Sequence, residues 1–499
     1  MHHSSQDISF QKYLNRFKDS LQRAFHQTER IDDFSSTRGM PPAVLSHLME
    51  AQPFSLCIAR EYGGMGGTVK QNIALMSAAS YESLAWSLTL GINNGLFIQP
   101  FSKYGQDELK SQVFEHFLKH GSMGGLMITE PDFGSDALSM QTSITERDGH
   151  FHLKGKKHWQ GLTGMAQFWL ITGRRKTETG TLMRDVEMFV CDVKVPGQQI
   201  TVEEYYQNLG LYQIPYGLNN LDLALPPQNR LIPHTTGVKM LLDLLHRSRF
   251  QFPGIGLGFI QRMLDEAIAH VKTRFVGNKI LLEYDQVQHR LARLQANFSI
   301  CSAFCHKSAK VADIENDLFP LGLEANIIKT LTADMMQDSS QSLLQLFGGK
   351  GYRLNHIAGR STVDSRPFQI FEGSNDVLYH KIADAFLKIM KAAKETQLYN
   401  FLKIYVPLVA NRLRKFCNFE IDKQLPQRKL INLGQFVSRV YAMQLVAEMA
   451  DRGFRSDLSE NALEVLTNDV ATFISSLRRS QSSLLVDDYG QQSNWFDLA

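Results

Sequence analysis

The sequence predicts an α+β protein of several domains, in which a helical region, a β region and a second helical region follow one another along the chain. Three observations carry this prediction. The 499 residues exceed what a single core holds, so two to four domains are expected. Apolar residues recur at helical spacing before about residue 121 and again after about residue 233. Between those points, short apolar runs are punctuated by Gly, Pro and Asn, which is the pattern of strands and turns.

The N-terminal region, 1–121, is read as an α-helical domain. Its clearest segment is QNIALMSAASYESLAWSLTLGIN (71–93), rich in apolar and small residues and read as a buried helix. The Gly-rich REYGGMGG (60–67) lacks the Lys-Ser/Thr ending of a phosphate-cradling loop and reads as a connector. The middle region, 122–233, contains HFHLKG, with Phe151 and Leu153 on one face, and the runs FWLITG, VEMFVCDV and LDLAL. These make a β domain of the small barrel or sandwich kind. In 234–392 helices return: Leu257, Ile260, Leu264, Ala267, Ile268 and Val271 mark one helix face. GIGLG (254–258) follows no strand, so its glycines are read as close helix packing rather than a dinucleotide fingerprint. Residues 393–499 form an additional helical extension, with amphipathic stretches at 436–449 and 463–477.

Composition excludes several classes. Hydrophobic residues at 43% and charged residues at 21% describe an ordinary globular chain. A net charge of +3 without dense Lys/Arg runs gives no nucleic-acid footprint. Five scattered cysteines fit a reducing compartment. Cys301 and Cys305, one turn apart beside His306, read as core packing, and no metal site is expected, because no second ligand pair follows. The first twenty residues carry no apolar signal-peptide segment, and no apolar run reaches the ~18 residues of a membrane span. A cytoplasmic location is expected.

The chemistry lies in four pieces taken in order: MITEPDFGSD (127–136), LKGKKHW ending at Trp159, LLQLFGGKGY (343–352) and FQIFEGSND (368–376). Singly each is weak. Phe-Glu-Gly-Ser, for instance, also reads as a helix start with Ser near its cap and an acid favoured by the helix dipole. Together, in this order and spacing, they resemble the acyl-CoA dehydrogenase family of flavoproteins from about residue 40 to about residue 392. FIQRMLDEAIAHVKTR also resembles the helix that opens the family's C-terminal bundle.

The resemblance implies a helical N-terminal domain, a middle β-barrel domain and a C-terminal four-helix bundle, with FAD bound between domains and across a subunit interface of a homodimer or homotetramer. It implies removal of the α-proton of an acyl-CoA thioester and transfer of a β-hydride to flavin N5, giving a trans-2-enoyl-CoA as in fatty-acid β-oxidation, with electrons passed to an electron-transfer flavoprotein. By the same resemblance Glu372 is the catalytic base. A carboxylate in a dry pocket has its pKa raised toward working pH, as such a base requires. Ser248 stands where other branches carry the base. Leu126, Ile128 and Thr129 would pass the flavin ring, and Ser135 would reach flavin or pantetheine phosphates. Trp159 would lie against the ring, with a plain core aromatic as its other reading. Arg274, Gln345, Gly348 and Gly349 would meet the pyrophosphate of a neighbouring subunit's FAD. Ser374 and Asp376 follow the base on the cofactor side. Gly373 and Arg249 would serve the substrate, Arg249 either near CoA or as support for the base, with a salt bridge as its other reading.

Three departures from the family pattern bear on the flavin. Gln160 and Gly161 replace Ile-Thr after Trp159, so Gly161 offers N5 a backbone N–H but no hydroxyl. Val276, Gly277 and Asn278 displace the usual Phe-Gly after Arg274. Asp376 adds negative charge beside a phosphate-rich cofactor. Alternatives to the dehydrogenase are an oxidase or monooxygenase on the same fold, a dehydrogenase of carrier-protein thioesters, and a non-catalytic flavin or acyl-CoA binding protein. The extension is expected to pack on its own domain or dimer; membrane contact through it is the minor reading, because its polar faces are mixed in charge.

Overall fold

The computed structural model describes residues 2–422, 424–478 and 485–491. The chain begins with helices, among them Val69–Glu82 and Leu84–Gly91, which cover the segment expected to be buried. Thr68 caps the first of these: its side chain accepts from Gln71 N–H while the Gln71 side chain accepts from Thr68 N–H, a reciprocal capping box.

Seven strands follow: β1 (Gly124–Met127), β2 (Ser143–Arg147), β3 (His150–His158), β4 (Phe168–Arg175), β5 (Glu187–Asp192), β6 (Thr201–Tyr205) and β7 (Gly217–Leu225). They form one curled sheet, an open half-barrel. β4 is its organiser. β1 runs parallel to its first half (Gly124 opposite Phe168) and β2 parallel to its end (Ser143 opposite Arg174), while β5 pairs antiparallel with it. β2, β3, β7 and β6 continue the sheet as antiparallel neighbours. Phe151 and Leu153 are buried on the inner face of β3, as their alternation predicts.

The C-terminal region is a bundle of four long helices, Gly237–Thr273, Asp285–Val311, Gly322–Phe347 and Asn375–Ala392. The first is capped twice: Thr236 Oγ1 accepts from Lys239 N–H, and the Asp185 carboxylate accepts from the N–H groups of Gly237 and Val238 at 3.0 and 2.9 Å. Its GIGLG glycines lie where helices approach closely. A Cβ on Gly256 would stand 2.4 Å from Thr332 Cγ2, and one on Gly258 1.9 Å from Ser77 O. Cys301 and Cys305 are buried in the second helix.

Beyond the bundle come Leu398–Tyr405, Ala410–Cys417, Gln427–Ala450 and Ser456–Arg478. The last two carry the stretches expected to be amphipathic. Gln427–Ala450 packs on Asn375–Ala392 and Asp285–Val311, and Ser456–Arg478 packs on Asp285–Val311. The buried apolar residues therefore form a continuous core from Tyr13 to Leu477. Among the described residues no helix is long and apolar enough to cross a membrane.

Candidate active site

Glu372 sits in the short loop between the turn Arg366–Gln369 and the helix Asn375–Ala392. Its φ is 53°, the left-handed region that a side chain with a Cβ enters at a cost of about 1–2 kcal/mol. Hydrogen bonds hold it there. Ser248 Oγ donates to Glu372 Oε1 at 2.8 Å, and Arg249 Nη2 donates to the Glu372 carbonyl at 2.7 Å. Ser248 and Arg249 are consecutive residues of the long Gly237–Thr273 helix, so that helix grips both the side chain and the carbonyl of Glu372. Gly373, next in the chain, has φ 90°, and Lys329 Nζ donates to its carbonyl at 2.9 Å.

Electrostatics favour a carboxyl that holds its proton more tightly than in water. Burial pushes the Glu372 pKa up; the Arg249 guanidinium, the Ser248 hydrogen bond and Lys329 pull in the other direction without cancelling it. Glu372 Oε2 is buried and, among the described residues, has no hydrogen-bond partner. One carboxylate oxygen is thus fixed by Ser248 while the other keeps its lone pairs unused. Burial, reinforced by the neighbouring Arg249 charge, brings Lys329 down to about 7 against the attraction of Glu372 and Asp334.

A second group of residues lies on the half-barrel. Leu126 in β1 and Ile128 and Thr129 just past its end are half-exposed, while Met127 between the first two is buried. The Thr129 carbonyl accepts from His158 N–H at 3.0 Å and from Gln160 Nε2 at 3.2 Å, and among the described residues its hydroxyl has no hydrogen-bond partner. Trp159 is 51% exposed with φ 62°, so it is no core aromatic; its ring packs against Tyr206 at 4.6 Å and Tyr216 at 6.2 Å. Gly161 is pressed between Ile92 and Ile214, and a Cβ there would come within 2.8 Å of Ile92 Cδ1. Ser135 is exposed in the loop beyond. A buried ion pair fixes this surface from behind. Lys157 Nζ lies 2.9 Å from both Glu130 Oε1 and the Ile128 carbonyl, bracketing Thr129. Burial holds Lys157 near 8 even against Glu130.

Arg274, Gln345, Gly348 and Gly349 form a third, exposed group. His270 and Phe347 stack at 4.0 Å and bring the ends of two bundle helices together there. Lys329 and Gly348 are nineteen positions apart in the sequence, which at helical rise is about 28 Å. This group is therefore remote from Glu372 within one chain, whereas Ser248, Arg249, Gly373 and Ser374 surround it.

These surfaces fit the FAD that the resemblance implies. The half-barrel presents an aromatic and aliphatic face with, among the described residues, an unpartnered hydroxyl. Among the described residues the N–H groups of Glu372, Gly373 and Ser374 donate to no protein acceptor, and no side chain caps the helix that starts at Asn375. Such a helix start offers donors to phosphate or hydroxyl oxygens. A Cβ on Gly348 or Gly349 would meet nothing within 4 Å, so backbone there is open to close approach. Asp376, exposed at the second helical position, sits where the helix dipole favours an acid.

The sequence reading missed Lys329, Asn326 and Asp334. Arg249 Nη1 donates to Asn326 Oδ1 at 2.8 Å while Nη2 holds the Glu372 carbonyl, so its guanidinium ties the helix Gly322–Phe347 to the Glu372 loop. One signal for Lys329 was present: it shares a helix face with Ala325, Thr332 and Met336, all uncharged and buried, where a charge requires a buried partner.

Comparison with known proteins agrees with this architecture. The acyl-CoA dehydrogenase N-terminal, middle and C-terminal domain models match residues 15–120, 125–222 and 235–387. The chain belongs to the acyl-CoA dehydrogenase family, a family of oxidoreductases. An acyl-CoA dehydrogenase of Bacillus subtilis is 23% identical over 383 residues, 76% of this chain and 97% of the relative. The crystal structure of an acyl-CoA dehydrogenase from Bacillus anthracis complexed with FAD superposes with a TM-score of 0.75 at 16% identity, covering 93% of this chain and 88% of that one. A prolyl acyl carrier protein oxidase shares the fold with a TM-score of 0.68 at 16% identity, over 75% of this chain and 98% of that one.

Proposed function

We propose that the protein is an FAD-dependent acyl thioester dehydrogenase that forms a trans-2-enoyl-CoA from an acyl-CoA, with Glu372 as the base that removes the α-proton. The observation that carries this reading is the Glu372 carboxylate itself: buried, oriented by Ser248, with Oε2 unpartnered and its pKa raised. A carboxylate whose proton is held more tightly than in water is the stronger base, and a buried one takes a proton from carbon without competition from water. The free Glu372 N–H is the donor for the thioester carbonyl, where negative charge develops as the α-proton leaves. Bound FAD supplies the acceptor for the β-hydride. Leu126, Ile128, Thr129, Trp159 and Gly161 hold its ring, Ser135, Ser374 and Asp376 border it, and Arg274, Gln345, Gly348 and Gly349 reach the cofactor of a neighbouring subunit. Gly373 and Arg249 shape the loop around the thioester. An electron-transfer flavoprotein is the proposed electron acceptor, a homodimer or homotetramer the proposed assembly, and the cytoplasm the proposed location.

The test is an anaerobic titration of the purified protein with acyl-CoAs of graded chain length, Glu372→Gln alongside. Bleaching of the flavin absorbance by one chain length, abolished in Glu372→Gln with FAD content unchanged, is the expected result. Bound FAD that no acyl-CoA bleaches would sink the reading. Carrier-protein thioesters would then be tried, and after them NAD(P)H with oxygen.

A further inference from the structure

A buried polar chain leads from the base loop into the C-terminal extension. Lys329 Nζ, which holds the Gly373 carbonyl, also donates to Asn375 Oδ1 at 3.0 Å. Asn375 Nδ2 donates to Asp334 Oδ1 at 2.7 Å and to the Thr330 carbonyl at 3.1 Å. The other Asp334 oxygen accepts from Tyr379 OH at 2.5 Å. Tyr379 OH in turn accepts from Arg439 Nη1 at 3.1 Å, and the Arg439 guanidinium lies 3.8 Å from Asp334 and 4.0 Å from Asp469. Arg439 belongs to the helix Gln427–Ala450 and Asp469 to Ser456–Arg478, both in the extension. Arg293 of the bundle closes the far end, 3.0 Å from Asp469. Lys329, Asn375, Tyr379 and Arg439 are all buried.

We propose that the C-terminal extension is part of the active-site machinery, with Arg439 a positioning residue that holds the Glu372 loop through Tyr379, Asp334, Asn375 and Lys329. The proposal rests on the reading of Glu372 as the base. Its physical content is a division of charge. Glu372 is faced by Arg249 and Lys329, with Lys381 beyond Arg249. Lys329 is shared between Glu372 and Asp334, and Asp334 is shared between Lys329, Asn375, Tyr379 and Arg439. While Arg439 satisfies Asp334, Lys329 remains free to offset the charge on Glu372. Without Arg439, Asp334 draws on Lys329 and its own negative charge weighs more on Glu372, so the base holds its proton more tightly. Polar groups linked this way respond as a unit, and their deletions do not add.

The experiment reads Glu372 without turnover. Urea unfolding of the FAD-loaded full chain is followed from about pH 5 to about pH 9, each protein paired with its Glu372→Gln derivative. Because the folded state holds the Glu372 proton more tightly than the unfolded state, the stability difference within a pair falls as pH rises. It levels off once the folded Glu372 and Lys329, which titrate as a pair, have given up their protons. In Arg439→Met the levelling point is expected to move up by about 0.5–1 pH, roughly a three- to tenfold gain in proton affinity. Tyr379→Phe, which loses one hydroxyl and is the safer variant for folding, is expected to move it in the same direction. The double variant should move it no further than the larger single change, and Arg439→Lys should restore it. A uniform loss of stability at every pH, with the levelling point unmoved in both Arg439→Met and Tyr379→Phe, would overturn the proposal and leave Arg439 a packing residue. If Glu372→Gln still bleached with substrate, the base assignment would fall, while a shifted levelling point would still uphold the coupling.

Discussion

Ser248 Oγ and Glu372 Oε1 are joined by a 2.8 Å hydrogen bond across 124 positions of sequence. Ser248 is buried and part of the long helix Gly237–Thr273, whereas Glu372 lies in the loop before Asn375–Ala392. The bond ties that helix to the carboxylate proposed as the base.

Ser248→Ala removes that donor. A hydrogen bond to a charged acceptor contributes about 1.5 kcal/mol net, close to a factor of ten in proton affinity. The bond favours the ionised carboxylate, so its loss raises the Glu372 pKa further. The reductive rate should still rise with pH as the carboxyl ionises, with the rise displaced upward by about 1 pH. Stopped-flow bleaching at saturating acyl-CoA across pH measures this. An unmoved profile would mean the bond does not tune the base.

The helix–strand–helix order is legible because periodicity 3.6 and periodicity 2 are local properties of the chain, and the FEGS loop is legible because its residues are contiguous. The exposed Trp159 could be separated from a core aromatic only by its backbone: its φ of 62° at the end of β3 turns the ring out toward Tyr206. The arrangement of β1 and β2 on one edge of β4 depends on pairing at long range and left no local mark. Lys329, Asp334, Tyr379 and Arg439 converge from three helices, and only the lysine on an uncharged, buried helix face hinted at them.

Lys157 and Glu130 offer the clearest stability test. The pair is buried, and Lys157 also donates to Thr172 Oγ1 at 3.2 Å. Lys157→Met strands the Glu130 carboxylate behind the sheet, where, among the described residues, only Thr142 Oγ1 and the N–H groups of Gln141 and Thr142 remain to hold it. A loss of about 3–5 kcal/mol is expected in urea unfolding. Adding Glu130→Gln should recover part of it, because the uncompensated charge disappears. FAD retention should fall in the single variant, since Lys157 also holds the Ile128 carbonyl beside Thr129.

Asp364 carries a pH signature of opposite sign to the usual carboxylate. Burial raises its pKa to about 6 from an ordinary value of 3.8, against the Leu211 N–H that donates to it at 2.6 Å. Between those two values the folded state holds a proton that the unfolded chain releases, so stability contributed here is complete at low pH and falls as pH rises to about 6. The full difference is about 3 kcal/mol. Asp364→Asn keeps an acceptor for Leu211 and removes the titration. The variant should match the parent near pH 4 and exceed it above pH 7 in unfolding experiments. A constant difference across pH would show that Asp364 stays ionised in the fold.

The extension is seated through Gly434. A Cβ at this position would stand 2.0 Å from the Tyr379 carbonyl, so only glycine lets the helix Gln427–Ala450 lie this close to Asn375–Ala392. Five residues on, Arg439 reaches the Tyr379 hydroxyl because of that approach. Gly434→Ala forces the helices apart, at an expected cost of about 1–3 kcal/mol, the range for overpacking. Alanine favours the helix itself by about 1 kcal/mol over glycine, so a net loss measures the contact rather than helix propensity. Melting temperature should fall, and limited proteolysis should cut within 393–478 before it cuts the bundle. Melting at or above that of the parent, with the extension equally resistant, would show that the helix slides to accept the methyl group and that its seat on Asn375–Ala392 tolerates the shift.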